Sequence, residues 1–256
     1  MRITIIGSGN VATHLAAAFK NAGHSIVQVY SRNMHNASLL AYHVKADAID
    51  DLNLIGPETD LFVIAVKDDA IEEVASALAK HNKLIVHTSG ATDLQALLKY
   101  TPNAGVFYPL QTFSKTKEVN FNAVPLCIEG ANEQITSVLN ELAYTISQNV
   151  YKVNSDQRKT LHLAAVFACN FPNYLYYLSQ QLLADQNLPF DLLRPLILET
   201  AEKVQEHLPG AVQTGPAVRN DEKTMNAHLQ LLNEKPELQQ LYRLLSQGII
   251  KMDNRG

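Results

Sequence analysis

Arg2-Ile3-Thr4-Ile5-Ile6-Gly7-Ser8-Gly9-Asn10-Val11-Ala12 is the stretch on which the fold turns. Arg2–Ile6 is a short apolar run rich in β-branched residues, so it reads as a buried strand. Asn10–Asn21 follows with helical periodicity, and Gly23 marks its end. A glycine pair between a strand and a helix is the context of a dinucleotide phosphate loop. Gly7 permits the tight turn, and Gly9 lets backbone approach a pyrophosphate. Ser8, Asn10 and Val11 complete the loop and open the helix, whose free N–H groups and dipole favour an anion. Ala12 stands where such loops carry a third glycine, so strand and helix pack slightly further apart.

Beyond this point, strands and helices alternate. Strands are expected at Ser25–Tyr30, weakly around Val44–Ala46, and at Leu61–Val66, Leu84–His87 and Ala104–Tyr108. Helices are expected at Ser38–Tyr42, Asp69–Lys80 and Asp93–Tyr100. An irregular connection over Lys115–Val124 leads into one further unit: strand Pro125–Ile128, a helix from Asn132 to about Ser147, and strand Val150–Val153. From Ser155 onward only helices are expected. The first runs to about Asp185 and should kink or divide at Pro172; others cover Leu188–His207, Asp221–Leu232 and Pro236–Ile250. The fold class is α/β: an N-terminal Rossmann-type, mainly parallel sheet (1–153) with a C-terminal all-α domain (154–256).

The end of the second strand selects the cofactor. An NAD site usually carries Asp or Glu there. This chain has Ser31-Arg32, where the guanidinium can bind a 2′-phosphate and the hydroxyl can assist, so the expected cofactor is NADP. Ala65, Val66 and Lys67 close the next strand and are expected along the nucleotide path. Thr88, Ser89 and Gly90 can face the nicotinamide or the substrate; the alternative for Thr88 and Ser89 is to cap the helix near Asp93.

His162 is the first candidate for proton transfer, with Asn170 eight residues later on the same helical stretch; a packing role competes for both. Ser89 joins them as a candidate catalytic residue. Tyr108, at a strand end, is expected on the substrate side. Thr214-Gly215-Pro216 reads as a turn, after which Asp221 suits a helix N-cap. In a functional alternative, Arg219 reaches an anionic substrate or phosphate, with Asp221 and His228 orienting it. No metal site is expected.

These features together resemble the superfamily of 6-phosphogluconate dehydrogenase, ketopantoate reductase and pyrroline-5-carboxylate reductase. More closely, the whole chain resembles a bacterial family that joins a Rossmann-like domain to a C-terminal helical domain of unknown function. The strongest C-terminal matches are His162 to Asn170 (HLAAVFACN) and Thr214-Gly215-Pro216 with Arg219, Asp221 and His228. The resemblance implies NADP binding, a helical domain that forms a homodimer, and a small-molecule substrate site between the domains. It supplies no substrate. Hydroxyacid dehydrogenases of the superfamily carry a lysine followed four positions later by asparagine, but here Lys159 is followed by Leu163, and Asn170 is preceded by Val166. The expectation is an NADP(H)-dependent reductase of a small carbonyl or imine. The alternative is an NADP(H) sensor or partner-binding protein without turnover.

Composition sets outer limits. The 256 residues suit two domains, and the net charge of −4 without a basic block argues against nucleic-acid binding. Cys127 and Cys169 match no metal or disulfide framework. No apolar run reaches the roughly 18–20 residues of a membrane span, and the N-terminus does not read as a signal peptide. The expected setting is therefore the cytoplasm.

Overall fold

Residues 1–114 and 116–253 are described by a computed structural model. Lys115, the first residue of the expected irregular connection, lies outside them. In the described residues, eight strands form one sheet in the order β3-β2-β1-β4-β5-β6-β7-β8. They are β1 (Arg2–Ile6), β2 (Ser25–Tyr30), β3 (Asp47–Ile49), β4 (Leu61–Ile64), β5 (Leu84–His87), β6 (Ala104–Pro109), β7 (Leu126–Gly130) and β8 (Val150–Lys152). Every pairing is parallel except β6 with β7. Helices α1 (Asn10–Asn21), α2 (Met34–Val44), α3 (Ile71–Leu78), α4 (Gln95–Leu98) and α5 (Glu133–Tyr144) connect them.

The unbroken apolar runs follow from burial on both faces. On one face, Ile3, Ile5 and Val63 pack with Leu15 and Phe19 of α1, Leu40 of α2 and Leu139 of α5. On the other, Ile6, Phe62 and Ile64 pack with Ile71 and Val74 of α3 and Leu97 of α4. Two expectations are corrected here. The short helix placed at Ser38–Tyr42 starts at Met34, because the Asn33 side chain accepts the Asn36 N–H at 3.2 Å and caps it. The strand placed at Val44–Ala46 is displaced to Asp47–Ile49, because α2 runs to Val44 and Lys45 ends it in the left-handed conformation.

The later elements are α6 (Ser155–Ala165), α7 (Phe171–Ala184), α8 (Arg194–Glu206), α9 (Glu222–Leu231) and α10 (Pro236–Asp253). A capping box between Asn154 and Gln157 starts α6. The expected break at Pro172 takes the form of a π-helical turn over Val166–Asn170, directly ahead of the proline. A wider turn is one way a helix accommodates a residue without an amide donor. Two compact units divide the chain, Met1–Asn173 and Tyr174–Gly256. The start of α6 belongs with the sheet: the Leu94 N–H donates to Ser155 Oγ at 3.1 Å. In the second unit, Ala217 and Leu232 are the buried residues among those described.

Gly7 holds the first turn against the sheet. Its φ is +127°, and a Cβ there would stand 2.3 Å from the Ala65 carbonyl oxygen, which is backbone and cannot swing away. Gly7→Ala therefore combines a disfavoured dihedral with a clash against β4's end and is expected to destabilise by about 3 kcal/mol or more. Chemical denaturation checks this; wild-type stability in the variant would show that the turn can open at little cost.

Candidate functional site

Parallel strands end on one side of the sheet, and a cleft of about 640 Å³ lies there. It is lined by the ends of β1, β2, β4, β5 and β6, together with His162 from α6. At one part, α1 begins at Gly9 with no side-chain cap and no acidic residue in its first turn. Its amides are open to an anion. The Ser8 hydroxyl donates to Ser31 Oγ at 3.0 Å, which ties the glycine turn to the end of β2. Arg32 is exposed and enters no salt bridge among the described residues.

At the other part, β5 and β6 bring Thr88, Ser89, Gly90 and Tyr108 together with His162. The Tyr108 hydroxyl lies 3.2 Å from His162 Nδ1, and the rings meet edge to face. Gly90 makes this possible. A Cβ on it would stand 2.8 Å from His162 Cγ and Nδ1 and 2.9 Å from Tyr108 Cζ. Burial pushes the Tyr108 phenol up to about 12, the nearby Cys127 thiol adds to this, and Arg158 opposes it. The phenol therefore keeps its proton at neutral pH. Ser89 does not cap α4, whose N-cap is Leu94 with no side-chain cap; it holds the turn ahead of that helix. Its Oγ accepts the Ala91 and Thr92 N–H groups at 3.1 and 2.9 Å, and it also lines the cleft. The Thr88 hydroxyl donates to the Ile64 carbonyl at 3.2 Å.

Of the sequence candidates, Gly7, Ser8, Gly9, Asn10, Val11, Ser31, Arg32, Ala65, Val66, Lys67, Thr88, Ser89, Tyr108 and His162 all line this cleft. Ala12 is fully buried in the core instead. Asn170 is exposed in the π-helical turn and is not among the lining residues. The second unit holds the remaining three. Asp221 caps α9, accepting from the Thr224 amide at 3.0 Å and its hydroxyl at 2.8 Å, and these bonds hold its carboxyl below the usual range. His228 Nδ1 pairs with the Tyr242 hydroxyl at 2.9 Å. Arg219 is exposed.

Sequence reasoning missed Arg158. Its side chain is fully buried and forms a salt bridge with Glu129 of β7. It also donates to the Thr92 carbonyl at 2.6 Å and to Ser155 Oγ at 3.2 Å. The Asn154–Gln157 capping box was the available signal, because it sets the helix start and so puts Arg158 and His162 one turn apart on one face.

Residues 2–90 match the family model described as NADP oxidoreductase coenzyme F420-dependent. Residues 124–249 match a domain of unknown function, DUF2520. A Bacteroides fragilis protein provisionally named an NADP oxidoreductase is 44% identical, with 98% of each chain covered and a TM-score of 0.92. A Thermotoga maritima protein is 22% identical, with 99% of this chain and 98% of that one covered and a TM-score of 0.76. The imine reductase of Myxococcus stipitatus, solved in complex with NADP+, is 14% identical, with 100% and 93% covered and a TM-score of 0.70. These last two likenesses show the fold alone. No curated protein matches the chain.

His87, at the end of β5, is fully buried. Its Nδ1 accepts the Ser89 N–H at 3.2 Å, and its Nε2 has no partner among the described residues. Burial first and the Arg158 cation second push its pKa down to about 3, with Asp93 partly offsetting them. The unfolded chain therefore binds this proton near 6.5, well before the folded one does. Stability is complete above about pH 6.5 and falls as pH drops toward 3, by about 3 kcal/mol between pH 7 and pH 4 from this group. The depressed carboxyls of Asp60, Asp93 and Asp221 enter at the acid end of this range, as pH falls through their ordinary 3.8, while His24 and His81, also lowered by burial, titrate within it in wild type and variant alike. Denaturation at stepped pH should show a shallower slope over this window in His87→Asn than in wild type, and equal slopes would remove His87 as the source.

Proposed function

The chain belongs to the family of the Bacteroides fragilis NADP oxidoreductase, with NADP as its cofactor, and from this we propose that it is an NADPH-dependent reductase of a small carbonyl or imine. The observation that carries the reading is the meeting of a neutral phenol and an imidazole at 3.2 Å in the same cleft as an uncapped helix N-terminus and a free arginine.

The residues present fit the cofactor. The start of α1 offers amides to the pyrophosphate, and the position a Gly9 side chain would take has nothing within 4 Å. Arg32 is free to fork onto the 2′-phosphate, with Ser31 beside it. Ala65, Val66 and Lys67 border the path between the two parts of the cleft. When bound, the reduced nicotinamide supplies the hydride.

The chain's own share is orientation and the proton. The Tyr108 hydroxyl donates to the substrate oxygen or nitrogen as charge develops there, and half-buried His162 returns the proton from solvent. Thr88 and Ser89 line the same part of the cleft; Asn170 is carried as a catalytic candidate, and Arg219, with Asp221 and His228, as the candidate for an anionic group of the substrate. Lys159 is committed elsewhere: its ammonium donates to Asp93 at 2.7 Å. The lysine chemistry of hydroxyacid dehydrogenases is therefore not part of this reading.

The protein is also proposed to act as a homodimer. In the helical unit Leu196, Leu208 and Leu231 are 62%, 80% and 81% exposed, and a unit with so few buried side chains needs an apolar partner surface. Light scattering at micromolar concentration is expected to give twice 28.3 kDa, and a monomeric mass would end the dimer reading.

Calorimetric titration tests the function. NADPH is expected to bind at least about tenfold more tightly than NADH, and Arg32→Ala should lose that preference. With NADPH and a panel of small ketones, aldehydes and cyclic imines, Tyr108→Phe should lower turnover by about 100-fold or more while leaving NADPH affinity intact. Absence of nucleotide binding in the wild type would sink the whole reading.

A further inference from the structure

We infer that Arg158 is a positioning residue for the Tyr108–His162 pair, through a buried clamp that locks the start of α6 to the loop after β5. The inference rests on the reading of that pair as the proton-transfer device.

The clamp has three sides. Arg158 donates through one nitrogen to Glu129 of β7 and through the other to the Thr92 carbonyl and Ser155 Oγ. Ser155 donates its hydroxyl to the same carboxylate at 2.8 Å and its amide at 3.0 Å, while accepting the Leu94 N–H at 3.1 Å. Lys159 reaches Asp93 at 2.7 Å on the exposed side. Residues 92–94 are thus held to the first turn of α6 by three separate links. The same loop begins with Ser89 and Gly90, and a Cβ added at Gly90 would stand 2.8 Å from the His162 ring.

His162 lies four residues after Arg158, one turn up the same helix face. A shift of α6 along or around its axis would move the imidazole off Tyr108 or drive it into Gly90. Only one register of α6 satisfies all these contacts.

Stability alone does not account for this arrangement. Taking a guanidinium fully out of water is costly, and a buried ion pair often stabilises no more than an apolar replacement of similar size. Here the cost is heightened, because Arg158 Nε is buried without a partner among the described residues. The guanidinium's planar fork supplies direction, reaching a carboxylate and a carbonyl at once, which an ammonium cannot reproduce.

The test reads geometry and not turnover. Full-length protein labelled with 15N-histidine and saturated with NADPH is compared with Arg158→Lys, Ser155→Ala and Tyr108→Phe, the His162 signals being assigned through His162→Gln. Tyr108→Phe defines the Nδ1 shift of an unpaired His162. If Tyr108→Phe leaves the signal unmoved, the pair itself is absent and the functional reading fails. If it moves the signal, Arg158→Lys is expected to move it most of the way to the same position, with the NADPH Kd within about threefold of wild type. A folded Arg158→Lys with the wild-type His162 signal would overturn the positioning role. Should Arg158→Lys fail to fold, Ser155→Ala decides alone: it removes the Leu94 link and one carboxylate bond, and must shift the His162 signal in the same direction. An unmoved signal there overturns the inference equally.

Discussion

Burial of a parallel sheet on both faces leaves its strand ends as the place where chemistry can happen. Ile3, Ile5 and Val63 are committed to one apolar layer and Ile6, Phe62 and Ile64 to the other, so neither face of the central strands can offer a functional group. What remains is the row of carboxyl ends. Each contributes a short polar turn to one cleft: Gly7–Val11 after β1, Tyr30–Asn33 after β2, Ala65–Asp68 after β4 and Thr88–Gly90 after β5. The strand order reverses at β1 and β4, which puts α1 and α2 on one face and α3 and α4 on the other and opens the cleft between β1 and β4.

Two absent side chains shape that cleft. At Gly7 the backbone passes so close to β4 that any Cβ would enter the Ala65 carbonyl, and this keeps the turn low enough for α1 to present its amides. At Gly90 the missing Cβ is the space in which Tyr108 and His162 meet. The first is a constraint within the sheet, set by neighbouring strands. The second depends on a helix that starts 65 residues later in the chain, and it is met only because Ser155 and Arg158 anchor that helix to the 92–94 segment and to Glu129.

Electrostatics in the cleft are divided by burial. Arg32 and Lys67 are not fully buried and can meet a phosphate, while the Arg158 cation is enclosed and paired. The enclosed charge acts on its neighbours: it lowers the proton affinity of His87 and opposes the rise at Tyr108 and Cys127. Burial first, and this cation second, keep His87 neutral, and the phenol keeps its proton because burial outweighs the cation.

The N-terminal half was legible because its signals are local. β-branched runs bounded by glycine, a helix opened by Gly9, and the absence of a carboxylate at Ser31-Arg32 need only neighbouring residues to be understood. Boundaries slipped where a polar side chain took over, as Asn33 did in starting α2 four residues early. The family resemblance and His162 were also within reach of the sequence, since the resemblance rests on several short motifs, each of them local. What no local pattern carries is which distant groups a side chain will meet. Arg158 reads as an ordinary helix-surface cation until Glu129 and Thr92 are brought to it from 29 and 66 residues away. Tyr108 and His162 likewise become a pair only across a gap of 54 residues. The sequence alone determined the alternation of buried strands and helices and the phosphate loop, because backbone preference and hydrophobic period act between near neighbours. The tertiary structure decided the meeting of Tyr108 with His162 and the buried Arg158 clamp behind it, because desolvation and ion pairing act only once the chain has closed around them.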